Sequence, residues 1–143
     1  MKFVIGDLTE ATEKVIAHGC NCQGAMGAGV AKAIKKQFPK AYKKYKKACN
    51  NSSDLLGTIQ TVQVGNKTIA NIFTQEYYGK LHKKFDYDNF EKAMRELMSK
   101  FIGHSIAIPR IGTGLGKGNW DKIRLILEHI EKKFNNEWVI YQL

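Results

Sequence analysis

The sequence predicts an α/β fold, a three-layer α/β/α sandwich with a mixed central sheet between two layers of helices. Short apolar runs alternate with longer amphipathic segments along the 143 residues, and this alternation is typical of α/β proteins. Two β-rich runs flank Gly65-Asn66, a hairpin signal that adds an antiparallel pair to the sheet. The length suits one domain, residues 1–143, and a hydrophobic content of 43% is enough for a single core.

The predicted elements follow one another with short connections. Strands are predicted at residues 2–5, 14–19, 58–64, 67–73, 105–108 and 137–143. Helices are predicted at residues 28–38, 40–49, 86–101 and 119–134. Pro39 separates the first two helices because proline interrupts a helical ladder, Gly103 stops the third, and Asn119 caps the fourth. Residues 74–85 are predicted to form a loop.

A glycine-rich loop follows the second predicted strand. In the stretch 18–31, HGCNCQGAMGAGVA, glycines 24, 27 and 29 lead into a helical pattern. Glycine has no Cβ, so backbone N–H groups can approach a ligand closely, and the helix N-terminus adds partial positive charge. We therefore expect an anionic ligand such as a phosphate ester. The alternative is a glycine-rich connection that only turns the chain.

A second loop of the same kind follows the fifth predicted strand. The stretch 109–118, PRIGTGLGKG, carries four glycines and precedes the last predicted helix. Loops at the carboxyl ends of neighbouring strands face one crevice, so the two loops together predict a diphosphate site. Neither loop matches the Walker or the dinucleotide pattern, since Gly116-Lys117 is followed by Gly118 and the first loop has the order G-x-x-G-x-G.

The net charge of +10 arises largely from one segment. Eight lysines without an intervening acid lie at positions 32, 35, 36, 40, 43, 44, 46 and 47. Such a patch can contact nucleic acid phosphates, steer an anionic small molecule, or simply be a solvated helix face. Phe38, Tyr42 and Tyr45 have the spacing of one apolar helix stripe, which predicts core side chains.

Composition limits the protein class further. No run of about 18 apolar residues is present, so no membrane span is expected, and we expect no membrane partner. The first seven residues do not fit a signal peptide, and three cysteines at 20, 22 and 49 lack a disulfide spacing. We therefore expect a cytoplasmic protein.

Five segments in this order resemble the macrodomain family of ADP-ribose binders over nearly the whole chain. They are Gly6-Asp7-Leu8, HGCNC at 18–22, MGAGVA at 26–31, PRIGTG at 109–114 and VIYQL at 139–143. Within the family the chain is most similar to the ADP-ribose 1″-phosphate phosphatase branch. It also resembles the branch that removes ADP-ribose from protein or nucleic acid. The resemblance implies a single macrodomain-like sandwich.

The resemblance also implies binding roles. Asp7 would accept a hydrogen bond from the adenine amino group, with the Leu8 backbone beside it, and Asn21 would bind the distal ribose. The distal ribose and the diphosphate would be lined by Gly27, Ala28, Gly29 and Val30. The diphosphate would be clamped from the other side by Gly112, Thr113, Gly114, Leu115 and Gly116. Tyr141 and Leu143 would pack near the adenine. The alternatives are a turn or cap role for Asp7 and a core role for Tyr141.

His18 and Asn21 are the catalytic candidates. An imidazole can transfer protons near neutral pH, although a histidine at a strand end is often structural. Asp54 is a weaker candidate for an acidic partner. The protein-directed branch uses a lysine where Gln75 stands and an aspartate where Gly116 stands, which counts against lysine-mediated glycosidic cleavage.

We expect neither a cofactor nor a metal. His18, Cys20 and Cys22 are candidate zinc ligands, but their spacing matches no common structural zinc site. The predicted activity is hydrolysis of ADP-ribose 1″-phosphate to ADP-ribose and phosphate, by a phosphoric monoester hydrolase. The alternatives are a non-catalytic ADP-ribose reader and a hydrolase that removes ADP-ribose from protein or nucleic acid. The expected partners are therefore ADP-ribose, ADP-ribose 1″-phosphate or an ADP-ribosylated macromolecule, and we expect a monomer.

Overall fold

Six strands form one sheet in the computed structural model, which describes residues 1–49, 53–75, 85–113 and 118–143. The strands are β1 (Lys2–Ile5), β2 (Val15–Asn21), β3 (Ile59–Val64), β4 (Lys67–Gln75), β5 (Ile106–Ile108) and β6 (Trp138–Gln142). The helices are α1 (Gly29–Gln37), α2 (Pro39–Ala48), α3 (Tyr87–Lys100) and α4 (Trp120–Phe134). Two short 3₁₀ turns lie at Leu8–Glu10 and Ser53–Leu55.

The sheet is mixed, as the sequence predicts. Its strand order is β1-β6-β5-β2-β4-β3, and every neighbouring pair is parallel except β3 with β4. That antiparallel pair is the predicted hairpin around Gly65, whose φ of 61° suits glycine in a tight turn. The carboxyl ends of β1, β6, β5, β2 and β4 consequently lie along one edge of the sheet, which we call the carboxyl edge.

The two helix layers cover opposite faces of the sheet. Alternate residues of β2 point to opposite sides, so Val15 joins the cluster of α3 and α4, whereas Ile16 joins that of α1 and α2. Phe90 and Leu127 belong to the first cluster and Ile34 to the second. A third cluster, near the end of β2, contains Cys20, Cys22, Met26, Tyr45 and Phe73. The predicted α/β/α layering is confirmed.

Local chemistry explains where the helices begin and end. Asn119 Oδ1 accepts hydrogen bonds from the backbone N–H groups of Asp121 (2.9 Å) and Lys122 (3.4 Å), so it caps α4 as predicted. Pro39 occupies the first turn of α2, where its missing N–H is not needed. No helix within the described ranges is long and apolar enough to cross a membrane.

Two strands are longer than predicted. The predicted ends at residues 19 and 73 are wrong, because β2 continues to Asn21 and β4 to Gln75. The two strands remain paired there, with Cys20 opposite Phe73 and Asn21 opposite Gln75, across an irregularity in the register. The first glycine loop therefore starts after Asn21, and Cys20 and Asn21 are held by the sheet.

Candidate functional site

The carboxyl edge brings the predicted site segments together. Asp7 follows β1, the first glycine loop follows β2, Gly112 and Thr113 lie in the loop after β5, and Leu143 follows β6. In α/β sheets, ligands bind in the crevice outside the carboxyl ends of the strands. The topology thus places segments from opposite ends of the chain along one edge.

Asn21 shapes the first glycine loop. Its Oδ1 accepts hydrogen bonds from the backbone N–H of Gln23 (2.9 Å) and of Ala25 (3.4 Å), and its Nδ2 donates to the carbonyl of Ala25 (2.9 Å). The side chain is buried, with 8% of its surface exposed. The amide is therefore engaged in holding the loop, a role that the sequence analysis did not predict for it. Its predicted contact with a ribose remains a prediction.

Tyr45 holds Asn21 from the side of α2. The phenol oxygen lies 2.7 Å from Asn21 Oδ1 and 2.9 Å from the Asn21 carbonyl oxygen. Tyr45 is fully buried and its ring stacks on Phe73, with 5.8 Å between the ring centroids. Burial raises the pKa of the Tyr45 phenol, so the hydroxyl stays protonated and donates to Asn21. Sequence reasoning treated Tyr45 only as core; the missed signal is that a buried tyrosine hydroxyl needs a hydrogen-bond partner.

The outer part of the first loop is open to solvent. Gly27, Ala28, Gly29 and Val30 are all exposed. A Cβ on Gly27 would meet no described atom within 4 Å, and its φ is not positive. Neither packing nor backbone conformation therefore requires glycine at this position, which favours close approach by a ligand.

The N-terminus of α1 faces the same open region. Gly29, with φ of 58°, is the first residue of α1, and Ala28 at the N-cap provides no side-chain hydrogen bond to the first turn. The first N–H groups of a helix have no intrahelical partner and carry partial positive charge. This end of the loop is therefore suited to an anion.

The second glycine loop is described only in part. Gly112 has φ of 84°, and a Cβ there would lie 2.6 Å from Cε1 of Phe85, so both backbone and packing require glycine. The exposed Thr113 hydroxyl donates to the Arg110 carbonyl (2.9 Å). Gly114, Leu115 and Gly116 lie outside the described residues, and their diphosphate contacts stay predictions.

Asp7 lies exposed at the far end of the carboxyl edge. Its Oδ1 accepts hydrogen bonds from the Thr9 N–H (2.9 Å) and the Thr9 hydroxyl (2.7 Å), which lower the pKa of the carboxyl. Asp7 therefore caps the first 3₁₀ turn, and an ionised carboxylate has further lone pairs to accept from a ligand amine. The Leu8 side chain is buried in the α1–α2 cluster, which leaves its backbone for the implied contact.

Tyr141 and Leu143 differ in their surroundings. The Tyr141 ring packs against the same cluster as Leu8, and its hydroxyl lies 2.7 Å from Glu13 Oε1. Tyr141 therefore has a structural role of its own, although it is still partly exposed. The Leu143 side chain is 99% exposed and is free to cover a ligand.

His18 lies inside the core and does not reach the surface of the carboxyl edge. Its side chain is fully buried, and its Nε2 lies 2.7 Å from Asn71 Oδ1. The Asn71 amide nitrogen donates to the Ala41 carbonyl (3.2 Å) and to Gln60 Oε1 (2.9 Å), so Asn71 Oδ1 is the acceptor and His18 Nε2 carries the proton. The imidazole thereby links β2 to β4 and, through Asn71, to α2.

This placement does not suit the predicted direct role of His18 in proton transfer. Burial lowers the pKa of His18 to about 4, although the hydrogen bond to Asn71 opposes the shift. The imidazole is neutral at neutral pH and has no exposed surface, whereas a proton-transfer group must come within hydrogen-bond reach of its substrate. The Cys20 side chain is also buried. Within the described ranges, no group of three His, Cys, Asp or Glu residues is placed so that it could hold a metal ion.

The fold and this edge define an α/β protein whose first glycine loop and helix N-terminus, at the ends of its parallel strands, suit an anion. The family model described as the Macro domain matches residues 17–127, more than half of the chain. The chain therefore belongs to the macrodomain family.

The chain is also similar to individual proteins over most of its length. A protein of Enterobacteria phage T4, described as an uncharacterized 17.5 kDa protein in the tk-vs intergenic region, is 36% identical, with 93% of this chain and 91% of the relative covered. The ADP-ribose 1″-phosphate phosphatase of Meyerozyma guilliermondii is 29% identical, with 90% and 92% covered. The macrodomain of Mycobacterium tuberculosis DarG has the same fold, with a TM-score of 0.85, 23% identity, and 99% and 97% covered.

The buried His18 predicts a pH dependence of stability. Between its ordinary pKa of 6.5 and its folded value of about 4, the unfolded chain binds a proton that the folded chain excludes. The His18 contribution is therefore full above pH 6.5 and is lost as the pH falls, by about 3 kcal/mol at roughly pH 4. The free energy of unfolding should be measured with urea above pH 6.5 and at about pH 4. The decrease between these two pH values should be about 3 kcal/mol smaller in His18→Gln than in the unmodified chain.

An equal loss in both proteins would contradict this assignment. A histidine titration followed by NMR gives a second measurement on the unmodified chain, which does not depend on the folding of the variant. The His18 signal should show no protonation near pH 6.5.

Removing the Tyr45 hydroxyl should loosen the first glycine loop. In Tyr45→Phe the ring remains stacked on Phe73, but Asn21 loses one donor. A hydrogen bond of about 0.5–1.5 kcal/mol corresponds to amide exchange at Gln23 and Ala25 that is roughly 2- to 10-fold faster. Tyr42→Phe, on the same helix, is the matched control. Unchanged exchange at both amides in Tyr45→Phe would show that the phenol does not hold the loop.

Proposed function

We propose that this macrodomain binds ADP-ribose along its carboxyl edge and hydrolyses ADP-ribose 1″-phosphate to ADP-ribose and phosphate. The observation that carries the proposal is Gly27, an exposed glycine that neither its backbone nor its packing requires, next to the uncapped N-terminus of α1. The Meyerozyma guilliermondii relative, which matches over nearly its whole length, supports the reaction by its name.

The dimensions of the edge support an extended ligand. Asp7 follows β1 and the first glycine loop follows β2, and these strands are three positions apart in the sheet. With about 4.8 Å between strands, the two ends lie on the order of 14 Å apart. A ligand with a base at one end, a diphosphate in the middle and a ribose at the other end suits such a span. We assign the adenine to the Asp7 end and the distal ribose to the first glycine loop.

The charge distribution favours hydrolysis at the distal end. The backbone N–H groups at Gly29 and Val30 can stabilise negative charge on phosphoryl oxygens while water attacks the phosphorus. The bond between phosphorus and the ribose oxygen then breaks, and the proton from water balances the leaving oxygen. Asn21 and Tyr45 position the loop for this step, and His18 acts as a positioning residue within the core.

Gln75 supports phosphate ester hydrolysis over lysine-mediated cleavage. It ends β4 at the carboxyl edge, opposite Asn21 in the sheet register. A glutamine side chain has no amine and cannot form a Schiff base with a sugar carbonyl. A reader without turnover, and a hydrolase that removes ADP-ribose from protein or nucleic acid, are the other functions that the same pocket can serve.

A side chain at Gly27 should block the ligand without harming the fold. Gly27→Asn places its side chain in space that no described atom fills, so the melting temperature should stay unchanged, whereas ADP-ribose affinity should fall at least about 10-fold, or by 1.4 kcal/mol. Gly65→Asn is the control, because its side chain also projects into open space, asparagine tolerates the φ of 61° found there, and it lies in the β3–β4 turn at the opposite edge. Calorimetry with ADP-ribose and phosphate release from ADP-ribose 1″-phosphate are the two measurements.

The outcomes separate the candidate functions. The phosphatase would be established if the unmodified chain and Gly65→Asn bind ADP-ribose and release phosphate, whereas Gly27→Asn does neither. Binding without release would favour a reader, or a hydrolase for another ADP-ribosylated substrate. If the unmodified chain neither binds ADP-ribose nor releases phosphate, the proposal is wrong.

A further inference from the structure

The outer faces of α1 and α2 carry an uncompensated positive charge. All eight lysines of this region are exposed, and we call them the α1–α2 lysine surface: Lys32, Lys35, Lys36, Lys40, Lys43, Lys44, Lys46 and Lys47. The sequence contains no Asp or Glu between Glu13 and Asp54, so neither helix has an acidic residue of its own. None of these lysines forms an ion pair with another described residue. The surface therefore holds a concentrated charge that no described residue neutralises through an ion pair.

Two of the lysines cover the outer strand β3 of the sheet. Lys44 Nζ donates to the Thr61 carbonyl (2.7 Å), and Lys40 Nζ donates to the Gln63 carbonyl (3.4 Å). Both carbonyls belong to β3, which is an outer strand of the sheet. Charged side chains on an outer strand discourage pairing with other chains. The fold itself therefore accounts for Lys40 and Lys44.

Two others have contacts within the chain. The Lys35 ammonium lies 4.3 Å from the centroid of the Tyr42 ring, in the geometry of a cation–π interaction. Lys46 Nζ donates to the Gly24 carbonyl (3.4 Å), at the base of the first glycine loop. Lys46 thus connects the lysine surface physically to the candidate ADP-ribose site.

The remaining four lysines have no such role. The side chains of Lys32, Lys36, Lys43 and Lys47 have no hydrogen bond, ion pair or ring contact with the described part of the chain. They also form two like-charge pairs at a spacing of four residues, Lys32 with Lys36 and Lys43 with Lys47, and such pairs destabilise a helix by about 0.2–0.5 kcal/mol each. Four charges that weaken their own helices point to a partner outside the chain.

We propose that the α1–α2 lysine surface binds the phosphate backbone of a nucleic acid. The charges are spread over two helices and separated by flexible side chains, which suits many phosphates and no single anion. Lys32 lies one turn from Gly29, and Lys46 touches Gly24, so the bound strand passes beside the first glycine loop. The inference does not depend on the proposed activity, because the surface and the carboxyl edge use different side chains.

The surface does not fit a membrane. A helix that lies on a bilayer needs an apolar face to insert, and Val30 is the only large hydrophobic residue of α1 and α2 that is exposed. Tyr42 is half-buried, and the Lys35 ammonium lies over its ring, so this ring face is already occupied and not available for base stacking. Contacts to phosphates without base contacts predict binding that is independent of sequence.

Charge removal on the surface tests the inference. The fourfold variant replaces Lys32, Lys36, Lys43 and Lys47 by Gln, which leaves the hydrogen-bonded lysines in place. The control replaces Lys92, Lys100, Lys132 and Lys133 by Gln on α3 and α4, which cover the opposite face of the sheet. Both variants remove four units from the net charge of +10. The probe is a labelled single-stranded DNA of about 16 nucleotides, followed by fluorescence anisotropy.

The expected result is a change in both affinity and salt dependence. The unmodified chain should bind the DNA at about 50 mM salt and lose affinity steeply towards about 200 mM. The fourfold variant should bind at least about 10-fold more weakly, and its logarithmic salt slope should be smaller by about 3, the value for four lost phosphate contacts on a single strand. The control variant should keep the affinity and the slope of the unmodified chain.

Several outcomes would overturn the inference. Equal losses in the two variants would show a general effect of net charge. Absence of DNA binding by the unmodified chain, or lysine-dependent binding only to phosphatidylserine vesicles or to polyglutamate, would assign the surface to a different partner. ADP-ribose binding, measured in parallel by calorimetry, should be unchanged in the fourfold variant. If the unmodified chain does not bind ADP-ribose, the proposed function is wrong, but the conclusion from DNA binding is unaffected.

Discussion

Parallel pairing of five strands is the constraint on which the candidate site depends. Because β1, β6, β5, β2 and β4 run in one direction, the segments that follow them come to one edge, although Asp7 and Leu143 lie at opposite ends of the chain. Parallel strands need covered faces, and the two helix layers provide the cover. The edge itself stays open, so the exposed Gly27 and Gly29 and the first N–H groups of α1 are found there.

Burial explains why His18 and Asn21 differ from what their residue types suggest. Both lie on β2, but His18 points into the α1–α2 layer, where a charge is costly, and the imidazole remains neutral. Asn21 is the last residue of the strand, and beyond it the backbone groups have no partners in the sheet. The Asn21 side-chain amide instead forms hydrogen bonds with the Gln23 N–H and the Ala25 carbonyl of the loop. The two side chains therefore stabilise the geometry behind the edge, and the exposed backbone of the loop is the part that we propose for ligand contact.

The sequence predicts the layers, the hairpin and the gathering of the glycine loops at one edge because each depends on local patterns. Alternating apolar runs, Pro39, Gly65 and Asn119 all act within a few residues, and glycine loops after strands imply the edge. The sequence does not predict the burial of His18, because the residue type alone does not indicate whether a histidine on a strand points into the core or towards a ligand. The Tyr45–Asn21 contact also escapes it, because the two residues are 24 positions apart and meet only when α2 packs on β2 and β4.

Helix α2 connects the two surfaces that the structure offers to ligands. Its inward face carries Tyr45, which holds Asn21 and the first glycine loop, while its outward face carries Lys43 and Lys47, which repel each other. A polyanion that neutralises the outward lysines binds the folded helix better than the unfolded one and so stabilises α2. Tyr45 and the first glycine loop depend on the opposite, inward face of the same helix, so the two surfaces use different side chains.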